Sequence, residues 1–82
     1  MLLAIKFKQK NKIITKKLPI LPGGVLPTID NFIKYDIIYN NDVALKDIKD
    51  IHIVYDKNEP QSQTSERIAS AVSQICRIVK NF

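Results

Sequence analysis

The chain has 82 residues, with 13 Lys plus Arg, 8 Asp plus Glu and one His, for a net charge of +5. With 45% apolar and 26% charged residues it reads as one small globular domain over 1–82, too short for separate cofactor and substrate domains. Its single Cys excludes a disulfide framework or a multi-Cys zinc site, and no apolar run approaches the roughly 18 residues of a membrane span.

The start, Met1 to Lys6, lacks the basic region of a signal peptide, which points to a cytoplasmic protein without a membrane partner. The chain carries 14 Ile, 11 Lys and 6 Asn, a bias expected of an AT-rich genome, such as a low-GC bacterium, its phage or another mobile element. A core this small and free of disulfides invites self-association.

Residues 1–24 form the first unit. Leu3, Ile5 and Phe7 alternate with Ala4, Lys6 and Lys8, the period-two pattern of a half-buried strand. A polar turn around Lys10-Asn11 leads to a return strand from Ile13 to Leu18. With Lys10-Asn11 as the loop, Phe7 faces Ile14, Leu3 faces Leu18, Lys6 faces Thr15 and Lys8 faces Ile13. That register keeps lysines from facing each other across the strands. Pro19 to Pro27 is a stiff apolar connector, in which Pro22-Gly23 suits the centre of a type II turn.

Residues 25–60 are expected to supply two further strands. Over 32–39, Ile33, Tyr35, Ile37 and Tyr39 alternate with Phe32, Lys34, Asp36 and Ile38. Asn40-Asn41-Asp42 makes a turn, with Asp42 suited to cap a helical turn over 43–47. Over 50–56, Ile51, Ile53 and Tyr55 alternate with Asp50, His52 and Val54.

Residues 61–82 comprise a loop and a helix over 65–81, with Thr64 or Ser65 as N-cap and Glu66 in the first turn, where the helix dipole favours a carboxylate. Ile68, Val72, Ile75, Val79 and Phe82 follow at spacings of 4, 3, 4 and 3, one apolar stripe. The expected fold is therefore α+β: a four-stranded, mainly antiparallel sheet with one C-terminal amphipathic helix on one face.

The charge is uneven. Lys6, Lys8, Lys10, Lys12, Lys16 and Lys17 fall in residues 1–24 with no acidic residue, while 25–82 carry seven basic and eight acidic residues. The hairpin is thus a basic patch suited to phosphates or to an acidic protein surface, although lysines on an edge strand also serve to block sheet aggregation. The stripe Ile68, Val72, Ile75, Val79 and Phe82 is the candidate interface for a homodimer. Tyr35, Tyr39 and Tyr55 are expected on the apolar side of their strands.

Asp50, His52 and Asp36 are the residues that would serve acid–base or metal chemistry if strands brought them together. Gly23-Gly24 lacks the flanking residues of a phosphate loop, and Cys76 has no catalytic partner in sequence. No catalytic residue, metal or cofactor is assigned. These features favour a non-catalytic binding protein that docks on another macromolecule as an adaptor, regulator or inhibitor. Nucleic-acid binding through the lysine hairpin is the alternative, followed by a small enzyme or ligand-binding dimer.

Overall fold

The computed structural model describes residues 1–79, apart from the side chain of Val79. It is α+β, with a three-stranded antiparallel sheet of order β2-β1-β3. Strands β1 (Leu2–Gln9) and β2 (Lys12–Pro19) form the expected hairpin. Their register pairs Phe7 with Ile14, Leu3 with Leu18, Lys6 with Thr15 and Lys8 with Ile13, as the charge argument requires. Lys10 (φ 50) and Asn11 (φ 65) both take the left-handed conformation that a two-residue hairpin loop needs to follow the twist of its strands.

Gly24 N–H donates to the Leu21 carbonyl at 3.0 Å and Gly23 has φ +97, as the Pro22-Gly23 type II turn demands. The connector then ends earlier than expected. Helix α1 (Val25–Phe32) starts inside it, with Pro27 in the first turn, where its missing N–H removes no helical bond. Thr28, buried on this helix, donates to the Gly24 carbonyl and accepts from Leu21 N–H, both at 2.9 Å.

The largest departure is residues 32–39, which are helical rather than a fourth strand. A π-helical segment (Ile33–Tyr39) continues directly from α1. Its winding is seen in the bond from Asn40 N–H to the Tyr35 carbonyl, five residues back, at 2.9 Å. Val25, Ile29 and Phe32 are spaced 4 and 3 apart and all are buried, so the packing of α1 carries this helical run up to the Asn40-Asn41 break. A short 3-10 turn (Leu45–Asp47) follows, without a side-chain cap from Asp42.

Strand β3 (Ile48–Val54) begins two residues before its expected start and pairs with β1, with a bulge where Phe7 meets Ile48 and Lys6 meets Asp50, leaving Lys49 the extra residue. Helix α2 (Gln63–Val79) begins earlier than expected and is capped by Ser62, neither Thr64 nor Ser65: Ser65 N–H donates to Ser62 Oγ at 3.2 Å. The Tyr55 hydroxyl holds this cap in place. It accepts from Ser62 N–H at 3.0 Å and donates to the Ser62 carbonyl at 3.1 Å.

Leu3, Ile5, Phe7, Ile51 and Ile53 face the helices and join buried residues of α1 and α2 in one core. Two helices, rather than one, thus share a single face of the sheet. Phe7 and Phe32 meet across the core at 6.4 Å between ring centroids. The opposite face, carrying Lys6, Lys8, Lys17 and His52, remains exposed.

Candidate docking surfaces

The strand pleat divides the six hairpin lysines. Lys6, Lys8 and Lys17 project from the uncovered face, Lys17 beside Ala4 and Lys6 beside Asp50. Lys10 sits in the turn. Lys12 and Lys16 belong to the helix-facing side of β2, where Lys16 Nζ lies 2.8 Å from Asp36 and 5.8 Å from the centre of the Phe32 ring. The expected basic hairpin is therefore a trio of lysines on an open sheet face plus the tip, with Lys16 drawn into the structure.

Asp50 and His52 share that open face, and His52 Nδ1 lies 2.9 Å from Asp50 Oδ2. A carboxylate only accepts, so Nδ1 carries the hydrogen of this bond. Asp36 does not join them, because it lies on the π-helical segment, paired with Lys16. Among the described residues no three His, Cys, Asp or Glu side chains are grouped to hold a metal ion.

The helix stripe is split as well. Ile68 and Val72 are half-buried against the core, whereas Ile75 is 57% exposed. The line of α2 nearest the sheet is instead Ala69, Ser73 and Cys76, all buried, and Ile78 adds a further exposed residue. Small side chains let the helix approach β3 closely. The side chain of Val79 and all of Phe82 fall outside the described residues. Burial pushes the Cys76 thiol above the usual range, which keeps it protonated and unreactive.

The tyrosines depart most from the sequence reading. Tyr55 is half-buried, but Tyr35 is 55% exposed and Tyr39 82% exposed, with Ile38 between them at 72%. The two rings sit 6.4 Å apart, tilted by 52°. Beside them, Lys34 pairs with Asp30 one turn earlier at 2.8 Å, and that bond holds the ammonium pKa above its usual range. Alternation hid this cluster, since it gave all the tyrosines to a buried strand face.

A groove of about 340 Å³ runs between β3 and α2. The four consecutive residues Asp50 to Ile53 line one wall, and Glu66, Ala69, Ser73 and Arg77 are among those on the other. Ser73 Oγ is buried there without a hydrogen-bond partner. Among the described residues no helix is long and apolar enough to cross a membrane. Comparison with protein-family models, with curated proteins and with solved structures finds no match to this chain.

Proposed function

We propose that this chain is a small non-catalytic binding protein that docks on another protein, as an adaptor, regulator or inhibitor does. The observation that carries this reading is the exposed cluster of Tyr35, Ile38 and Tyr39 at the end of the π-helical segment. Large apolar side chains gathered on a surface mark interaction sites, and tyrosine supplies contact area with few bonds to immobilise. Asp30 and Lys34 give the cluster a polar neighbour, the usual rim around an apolar anchor.

The test places a photo-crosslinking residue at position 39 in cells of the source. The reading expects a discrete protein adduct that disappears when Ile38→Asp is added. The absence of any adduct, or one that survives Ile38→Asp, rejects it. Ile38 is exposed, so the substitution leaves the core intact.

A second reading rests on Lys6, Lys8 and Lys17, which share the uncovered sheet face. Binding of a nucleic-acid backbone there predicts affinity that falls steeply with salt, with each Lys→Ala change lowering the slope by about one. Oligonucleotides that fail to bind at low salt reject it. A homodimer through the exposed Ile75 and Ile78 is a separate proposal, which a monomer in sedimentation at micromolar concentration rejects.

A further inference from the structure

We infer that the helical run formed by α1 and the π-helical segment pairs antiparallel with the same run of a second copy of this chain, across a two-fold axis between Asp30 and Lys34. Leu26, Asp30, Lys34 and Ile38 follow one another at intervals of four, and all are exposed, Leu26 at 57% and Ile38 at 72%. The winding puts them on one line. In an α-helix a step of four overruns one turn by about 40°, so three such steps would carry Ile38 about 120° away from Leu26. A π turn closes after more than four residues, so steps taken within Ile33–Tyr39 fall short of a turn and bring Ile38 back.

The second observation is that this line is its own complement. An apolar residue, a carboxylate, an ammonium and an apolar residue stand at equal spacing. A copy laid antiparallel therefore sets each Asp30 against the other chain's Lys34, and each Leu26 against the other chain's Ile38. A two-fold contact requires this reciprocity. Within one chain Asp30 and Lys34 already pair at 2.8 Å with both side chains more than half exposed, so each keeps its partner and gains a second of opposite sign. The charges fix register and direction, and the apolar ends supply the area removed from water.

The surroundings favour a second copy over a charged partner. The other charged residue in positions 25–39 is Asp36, and it is paired with Lys16 at 2.8 Å. The exposed side of the run therefore has no net charge with which to attract a polyanion or a polycation. Lys6, Lys8 and Lys17 project from the opposite face of the sheet, so two copies meeting through their helical runs do not set these lysines against each other. Tyr35 and Tyr39 lie on the next line around the helix, outside the seam. The contact thus does not rest on docking to another protein, and Ile38, common to both, is left unchanged in the test.

The test measures sedimentation of the purified chain over a concentration series reaching about 1 mM. The contact is small, so the parent should dimerise with a dissociation constant on the order of 100 µM. Asp30→Lys and Lys34→Asp, each alone, set like charges against each other across the axis and should weaken dimerisation at least about tenfold. Mixed in equal amounts, the two variants regain opposite charges at both contacts and should associate to within about threefold of the parent. A chain carrying both substitutions restores the same pairs and should dimerise like the parent. Ile75→Asp, on α2, should change nothing. A parent that stays monomeric throughout, a dimer indifferent to either reversal, failure of both the mixture and the double variant to associate, or a dimer lost with Ile75→Asp would overturn the proposal.

Discussion

Lys16 and Asp36 are 20 positions apart in sequence, yet the Lys16 ammonium lies 2.8 Å from the Asp36 carboxylate. This bond ties the outer strand of the hairpin to the π-helical segment, and Lys16 also stands over the Phe32 ring at 5.8 Å. Lys16→Met keeps the apolar stem and removes the charge. It should cost about 0.5–1 kcal/mol from the ion pair and a comparable amount from the ring contact. A double-mutant cycle with Asp36→Asn in urea denaturation isolates the pair, and its coupling should shrink as salt is raised.

Tyr55→Phe removes a hydroxyl that both donates to and accepts from the backbone of Ser62. Two partly buried backbone groups lose their partner at the residue that caps α2. The expected loss is about 1–2 kcal/mol in chemical denaturation. Hydrogen exchange at the Ser62 amide should accelerate more than exchange at the strand amides, since the defect is local.

The hairpin turn can be improved. Lys10 occupies the left-handed region at φ 50, where a residue with an ordinary side chain is strained, and Asn11 follows at φ 65. Replacing the pair with Lys10→Asn and Asn11→Gly supplies the residues that such a turn favours. Thermal unfolding should show a gain of about 0.5–1 kcal/mol. An unchanged or lower midpoint would mean that the Lys10 side chain contributes where the structure records no contact for it.

Acid stability should depend on Glu59. Its carboxylate accepts from the Met1 amino group at 2.8 Å and from Asp56 N–H at 3.1 Å, and these bonds, the first above all, hold its pKa below the usual glutamate range. A lowered folded-state pKa stabilises the fold above the unfolded value, and that contribution is lost as pH falls through the lowered one. The Met1 amino group is shifted the other way by the same bond, so its contribution is present at neutral pH and lost as pH rises through its raised value. The stability difference between the parent and Glu59→Gln should be level near neutrality and close on acidification. Urea midpoints measured across pH check this.

The hairpin was legible down to its residue pairing, because alternation, a two-residue loop and lysine repulsion all select one register. The C-terminal helix was legible from its apolar spacing, although its inner line was not. Ala69, Ser73 and Cys76 are small, and a search for large apolar residues passes over the side chains that permit closest approach. Residues 32–39 are helical against the strand expectation: Ile33, Tyr35, Ile37 and Tyr39 satisfy the strand pattern, while the helical signal begins upstream at Val25, Ile29 and Phe32. Pro22, Gly23, Gly24 and Pro27 obscure that start, because each is itself a turn or connector signal. The site was correspondingly less legible: pairing of His52 with Asp50 follows from their spacing, but the exposed tyrosines and the β3–α2 groove exist only once the chain is folded.

The order β2-β1-β3 has a consequence for synthesis. The first strand to be made is the central one, and it acquires β2 almost at once. Its other edge stays bare until residues 48–54 have been translated, and until then that edge is a template for a neighbouring nascent hairpin. Six lysines without a single acidic residue in the first 24 positions make such encounters mutually repulsive. The uneven charge would thus act before the fold is complete, by keeping half-made chains apart until the third strand has joined the sheet.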